Sequence, residues 1–353
     1  MGTPLQSSGP ISLRDLRFEF TSRGGNIATA PDTIMEYYLG SIQPVSGGSV
    51  PSSGAISLSD FYGLEQVYVV NLTIGSNTQS YNIKNAAIAA GWNGVDAVEV
   101  NLTINAGVVV YGSHAGRATY DGLNEHNGGS GGVAMDTGDF NGLLHGDINI
   151  DMSGTGKIVG GGGGGGSGCE SRRNNTDRGG NGGNGGTGLV IRSSDTVNIT
   201  NGGDLAGGGG GGGGAPAYGV SYVTGNTCGK LGSDPCVYAV TMDGCGGGGG
   251  ASYALGGGGG YGDTVSGYTG YDGSSTSGGA ARRNSDTDPN GNVNYGNYSG
   301  AGGDWGANGA TAQDKVNYSG DDIPGSGGSR GLYVSGSANL TLSGTTVTHG
   351  AAA

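Results

Sequence analysis

The chain has 353 residues, a net charge of −13, only 12% charged side chains and 86 glycines; its isoelectric point is about 4.5. That balance excludes a nucleic-acid binder, which needs a basic stripe to neutralise phosphates, and excludes electrostatic attraction to anionic lipid. No run approaches the ~18 consecutive apolar residues of a spanning helix, so no membrane insertion is expected. Met1 to Pro10 has neither the basic patch nor the apolar stretch of a secretory signal, which points to synthesis in a cytoplasm.

Residues 1–63 read as a small helical module. The phrase Ile11-Ser12-Leu13-Arg14-Asp15-Leu16 returns as Ile56-Ser57-Leu58-Ser59-Asp60-Phe61. In each copy a serine opens a short helix, and an aspartate three residues on faces the exposed amides. Residues 31–39 read as a further short helix. So small a segment holds too little core to stand alone, so it reads as a docking module. Its contact residues are Ile11, Leu13, Leu16, Ile56, Leu58, Phe61 and Tyr62.

Residues 64–158 read as a strand-rich shoulder. Gln66 to Ile74 and Val98 to Ile104 alternate apolar and polar positions, the period of a half-buried strand; Tyr81 to Trp92 reads as a short helix or turn ending at Gly91. Four segments then share one form, an alternating strand, a turn and a second short apolar stretch. They begin at Val100, Ile148, Val197 and Leu340, and the first three are spaced by about 50 residues, as in strands stacked into a solenoid. About 130 residues separate the last two.

Pure glycine runs punctuate residues 159–353, among them Gly160 to Gly166, Gly179 to Gly186 (broken by Asn181 and Asn184), Gly207 to Gly214, Gly246 to Gly250 and Gly256 to Gly260. Ordering glycine costs more backbone entropy than ordering any other residue, so a packed state must offset that cost. Polyglycine II helices have three residues per turn and no internal hydrogen bonds, and without Cβ atoms they can bond to one another in a lattice. The expected fold class is therefore mainly β with an irregular glycine-rich region. It comprises a helical N-terminal module, solenoid-like strands and a polyglycine II sandwich over 159–260 and 300–331.

Tyrosines concentrate between Tyr218 and Tyr298, among Ser, Asn and Gly. This is the vocabulary of antibody paratopes, rigid amphipathic rings beside adaptable hydrogen bonders. Loops joining parallel rods emerge at the rod ends, which suits a binding face. Ser252 to Leu255 and Asn292 to Tyr298 are counted among these loops. The binding candidates are Tyr218, Tyr222, Tyr238, Tyr261, Tyr268, Tyr271, Tyr295, Tyr298 and Trp305, although rings packed over glycine ridges would share the composition.

Cys169, Cys228, Cys236 and Cys245 lack the paired spacing of a zinc site and are candidates for disulfides whose pairing the sequence leaves open; Cys228 and Cys236 bracket a short loop. No metal, cofactor or catalytic residue is expected. Gly156-Lys157 and Gly229-Lys230 lack the Ser or Thr of a P-loop, and no helix follows the glycine runs to make a dinucleotide site. Paired carboxylates for glycan cleavage would come from Asp136, Asp139, Asp147 or Asp151, residues equally suited to turn hydrogen bonds.

Ile56 to Gly63, with its partner at Ile11, resembles the N-terminal module of many tailed-phage virion proteins. Residues 146–350 resemble the glycine-rich adhesins at the tips of T-even-like long tail fibres. The resemblance implies a virion protein made in the bacterial cytoplasm, attached to other tail proteins through residues 1–63, with a homotrimeric tip as one arrangement. Its loop tips in 159–353 would bind an outer-membrane protein or saccharide of the host. The four cysteines depart from the adhesin pattern. A purely structural tail or baseplate protein, a tailspike-like depolymerase and an ice-binding bundle are the alternatives.

Overall fold

A computed structural model describes residues 5–12, 15, 16, 45, 46, 57–116, 118, 126–168, 178–215, 218–227, 235–242, 247–253, 257, 259, 270–287, 293–313 and 323–353.

Both serine–aspartate phrases form the expected caps. The Asp15 carboxylate accepts from the amide (2.8 Å) and hydroxyl (2.7 Å) of Ser12. Asp60 accepts from the Ser57 amide at 2.7 Å, opening a 3-10 turn at Leu58–Phe61. Leu16 and Phe61 are fully buried, while Ile11, Leu58 and Tyr62 are half-buried. Leu5 bonds to Leu64 and Gly63 through its backbone, and the Tyr62 hydroxyl donates to the Gly9 carbonyl. Strand β1 (Val45–Ser46) pairs antiparallel with β2 (Glu65–Gln66). Leu13, Ile56 and the helix expected at 31–39 lie outside the described residues.

From Tyr68 onward the chain makes five circuits, each laying one strand on each of three parallel five-stranded sheets. The first circuit is β3 (Tyr68–Ile74), β4 (Thr78–Gln79) and β5 (Tyr81–Asn82), followed by helix α1 (Ile83–Ala89). The second is β6 (Val98–Ile104), β7 (Val109–Tyr111) and β8 (Met135–Asp136). The third is β9 (Ile148–Asp151), β10 (Lys157–Val159) and β11 (Leu189–Val190). The fourth opens with β12 (Val197–Thr200) and β13 (Asp204–Ala206). Two antiparallel hairpins intervene, β14 (Tyr218–Thr227) with β15 (Pro235–Met242) and β16 (Arg283–Thr287) with β17 (Val293–Tyr298), before β18 (Leu332–Ser335) closes it. The fifth is β19 (Leu340–Leu342), β20 (Val347–His349) and β21 (Ala351–Ala352).

The four repeated segments lie side by side in the first sheet. Leu72, Leu102, Ile150, Ile199 and Leu342 form one row. All but Leu342, which is in the last strand, are buried in the common core with Val110, Ile158 and Leu205 of the second sheet. The alternate positions carry a ladder of amides. Asn101 donates to Asn71 at 3.3 Å, Asn149 to Asn101 at 3.2 Å and Asn198 to Asn149 at 3.5 Å. Each sheet draws strands from both sides of residue 158, so the sheets run across the boundary expected there.

Corners are fixed by local polar contacts. The Asn82 side chain caps α1, accepting from the Asn85 amide at 2.9 Å. Buried Asp195 accepts from the Thr137 hydroxyl (2.5 Å) and the Phe140 amide (2.9 Å). Between the second and third sheets the first and last circuits turn on single left-handed residues, Ser80 (φ 54°) and Gly350 (φ 121°). The middle three circuits leave the sheets at that corner, over 112–134, 160–188 and 207–331.

These excursions run out and back as extended segments bonded to each other at every third residue. Gly160, Gly163 and Gly166 donate to Ala206, Gly209 and Gly212. Gly161, Gly164 and Ser167 donate to Gly132, Gly129 and His126, while their own carbonyls accept from Gly186, Gly183 and Gly180. Each run thus bonds to several neighbours, and buried backbone is satisfied without side chains. Glycine is required by the approach itself: a Cβ on Gly183 would lie 1.8 Å from the Gly129 carbonyl oxygen.

Candidate functional site

The run 207–215 starts at β13, and its later residues lie progressively farther from the sheets. The run 247–253 returns beside it, with Gly212 donating to Gly248 (2.7 Å) and Gly209 to Ala251 (3.0 Å). Hairpin β14–β15, which joins these runs, therefore lies at the end remote from the sheets. Hairpin β16–β17 lies there too, because the run it leads into comes back with Gly300, Gly303 and Gly306 donating to Gly213, Gly210 and Gly207. The flanks of 119–125, 169–177 and 314–322 reach the same end, since Ala118, His126, Gly180 and Gly325 bond beside Gly165, Ser167, Ser167 and Gly214. Turns at 274–277 and 304–307 are at the opposite, sheet-proximal end.

The structure locates several of the expected tyrosines at this remote end. Tyr222 and Tyr238 are directly opposed in β14–β15, where Tyr218 faces Met242. Tyr295 pairs with Ser285 and Tyr298 with Arg283 in β16–β17. Tyr298 is 42% exposed there, whereas Tyr271, whose carbonyl accepts from Gly249 midway along the runs, is 51% exposed. Tyr261 and Tyr268 lie outside the described residues, as do Cys169, Cys228 and Cys245; Cys236 pairs through its backbone with Thr224.

Two arginines that the sequence reading passed over are stacked on these rings. The Arg282 guanidinium carbon lies 5.0 Å from the Tyr271 centroid, and that of Arg283 lies 4.3 Å from the Tyr298 centroid. Arg283 also donates to the Tyr298 hydroxyl at 3.0 Å. The available signal was two adjacent basic residues in a chain with 15 against 28 acidic ones, set among tyrosines.

Trp305 belongs elsewhere. It packs on the outer face of the second sheet, against Val109, Val159 and Ala206, with the Lys157 ammonium 5.4 Å from its ring and the His349 ring edge-on at 5.9 Å. Tyr253 does the same over Tyr111 (5.3 Å), its hydroxyl accepting from Asn77 at 2.6 Å. These aromatics are sheet-proximal, so Trp305 is not at a remote loop tip, and Ser252 and Tyr253 are not in a remote loop. An aromatic in a glycine-rich loop gives no sequence clue to which end of a run it occupies.

Three of the four candidate aspartates serve corners. Asp136, Asp139 and Asp151 each accept from the amide two residues on, at 2.8, 3.0 and 2.7 Å. Asp136 is also paired with Arg192, which raises the guanidinium's pKa further. The Ser194 hydroxyl, then the Asn141 amide, hold Asp139 below the usual carboxylate range. Asp147 is exposed just before β9.

A scaffold that places tyrosines at one end, with three of the four candidate carboxylates engaged in turns, defines the class of a surface-binding protein. The chain belongs to the phage tail fibre adhesin Gp38 family, whose model matches residues 69–352. It is accordingly a tail fibre adhesin that recognises a receptor on the bacterial host, located in the virion tail. Among solved structures it is similar to the gp37-gp38 adhesin tip complex of the bacteriophage S16 long tail fiber, at 18% identity over 86% of this chain and 88% of that chain, with a TM-score of 0.40. No curated protein matches the chain.

Proposed function

We propose that the remote end of the glycine runs is the receptor-binding face, and that it works by adhesion without catalysis. The five circuits act as a solenoid that anchors the runs, and the runs act as a polyglycine II lattice that holds the loops. The observation that carries this reading is that hairpins β14–β15 and β16–β17 and the described flanks of 119–125, 169–177 and 314–322 gather at one end while the sheets occupy the other. Exposed tyrosines supply rigid anchors with a polar surround. Weak single contacts gain avidity when several fibres engage together. Residues 1–63, with half-buried Ile11, Leu58 and Tyr62, attach the protein to other tail proteins, and the chain is made in the host cytoplasm.

The test is competition for phage adsorption. The intact purified protein is expected to block adsorption. The paired variants Tyr222→Ala/Tyr238→Ala and Tyr271→Ala/Tyr298→Ala, each shown to be folded, are expected to block less. Truncating 217–299 would be a poorer test, because it also removes lattice runs 247–253 and 270–279. Failure of the intact protein to bind cells or to compete would overturn the reading.

A further inference from the structure

We infer that a second copy of this chain docks on the fifth circuit, edge to edge about a two-fold axis, to give a dimer. The pairing itself needs nothing from the receptor-binding reading; only its consequence for avidity does.

Strands β19, β20 and β21 are each the last of their sheets, so among the described residues three open strand edges ring one end of the stack of circuits. The amides of Ser343, Val347 and Ala353 bond back to Ile199, Gly203 and Val334 of the fourth circuit. Alternation along a strand then turns the backbone groups of Leu342, Thr348 and Ala352 away from that circuit. The core is open at this end as well. Leu342 ends the row that Leu72 begins, yet Leu342 is 40% exposed and Leu72 only 8%. At the first circuit the core is instead filled out by Ile83 and Ala87 of α1 and by Trp92.

Open edges are ordinarily blunted by charge or proline. Residues 331–353 contain no Asp, Glu, Lys, Arg or Pro. In a chain of net charge −13, this neutral end is where a second copy meets least repulsion. The topology supplies the symmetry. The excursions leave at the corner between the second and third sheets, and the first sheet lies opposite that corner. A half-turn about the line from that corner to the middle of β19 lays β19 antiparallel on its own copy. The same rotation lays β20 and β21 on the partner subunit's third-sheet and second-sheet edges. One isologous contact therefore pairs all three edges at once, whereas a single extended segment of another protein would fill only one. Thr341, the middle residue of β19, falls on the axis, and Leu342 meets Leu340 of the partner subunit. Both lattices then leave on the same side of the dimer, so on the receptor-binding reading two faces engage one host surface together.

Sedimentation equilibrium of the full chain over about 1–100 μM tests the pairing. A dimer of the 34.4 kDa chain is expected. Leu342→Lys puts a charge at the open core. Thr348→Pro removes an outward N–H and leaves the bonds of Val347 and His349 to the fourth circuit in place. Each variant, shown to be folded by circular dichroism, should weaken dimerisation by about tenfold or more. Val347→Thr removes apolar surface from the outer face of the same edge strand and should leave the dimer intact. Thr341→Cys under mild oxidation should give a dimer linked through position 341, because opposed residues on the axis bring their Cβ atoms within disulfide reach. Peptide mapping separates that link from any made by the native cysteines. The pairing is refuted by a monomer throughout the series, by a trimer, or by an undiminished dimer in both folded edge variants. Dissociation of Val347→Thr, or the absence of a link at position 341, refutes it equally. Cell binding by a protein that stays monomeric removes the dimer and leaves the adhesion reading standing.

Discussion

Replacing Gly211 with alanine tests whether the glycine runs are held by backbone contact alone. Gly211 donates to Gly183 and accepts from Gly328 in the interior of the lattice. A Cβ there would sit 2.0 Å from the Gly164 carbonyl oxygen and 2.5 Å from its carbon, where ordinary contact begins near 3.4 Å. Runs 160–167 and 207–214 must then part by about 1.4 Å locally, the difference between those distances. That stretches the adjacent bonds Gly163 to Gly209 (2.9 Å) and Gly166 to Gly212 (3.0 Å) beyond hydrogen-bonding range. Each buried backbone pair so broken costs about 1–3 kcal/mol. Reduced freedom of the unfolded chain returns only about 0.4–1 kcal/mol. A net loss of about 3 kcal/mol is expected; with an unfolding entropy of about 2.1 cal/mol/K per residue over 353 residues, Tm should fall by about 4 °C. The matched control is Gly116→Ala, where nothing lies within 4 Å of the added carbon. It should be neutral or raise stability by up to about 1 kcal/mol. Calorimetry of both proteins decides the point, and equal Tm values for the two variants would refute the reasoning.

Asn149→Ala interrupts the amide ladder between Asn101 and Asn198; the urea midpoint should drop by the equivalent of about 1 kcal/mol with an unchanged m-value. The Trp305 indole N–H is buried and makes no hydrogen bond. Trp305→Phe should therefore cost under about 1 kcal/mol, while Trp305→Ala loses the packing on Lys157 and the second sheet and should cost about 1–3 kcal/mol in the same assay. Asp139 has a depressed pKa, chiefly through the Ser194 hydroxyl. Its contribution is thus present above the ordinary carboxylate pKa of about 3.9 and is lost as pH falls through the lower folded value. Ser194→Ala should move that titration upward by NMR, and an unmoved titration would show that the hydroxyl is not the cause.

The first sheet was legible because its strands are long enough to alternate. Asn71, Asn101, Asn149 and Asn198 fall at equivalent places in successive circuits, and the register aligns them. The second sheet was legible as the second short apolar stretch of each repeat, but the third was not, since its strands, such as Met135–Asp136 and Leu189–Val190, are too short to show a period. Pure glycine marked the interior of the lattice but not its margin. Gly116 has open space around it, and Ser113 and Ala115 carry side chains in the same run, so glycine is needed only where a residue meets another backbone. The excursion at 112–134 consequently escaped notice as a counterpart of the long one, whereas 160–188 was already included in the glycine-rich region. Burial at the near end rather than the remote end, which decides the role of Trp305, depends on where each run turns, and glycine composition does not encode that.

A lattice of identical residues has a weakness that its few other side chains answer. A glycine run slid by one residue along its neighbours can remake nearly every backbone bond, so glycine alone fixes no register. Asn181 and Asn184, three apart, break that equivalence. Their side-chain oxygens accept from the Ser326 and Ser329 amides, each at 2.9 Å, while Gly182 and Gly185 donate to the carbonyls of those same serines at 2.8 Å. The Asn181 amide is held in turn by the Asn127 side chain at 2.8 Å. Asn181→Gly/Asn184→Gly would complete the glycine run and preserve the backbone bonds while removing the register marks. The expected result is loss of uniqueness more than loss of stability: a broader denaturant transition with a lower m-value, and doubled amide resonances for 178–188. A sharp transition with single resonances would mean that the sheets alone set the register, through the strands at each end of the run.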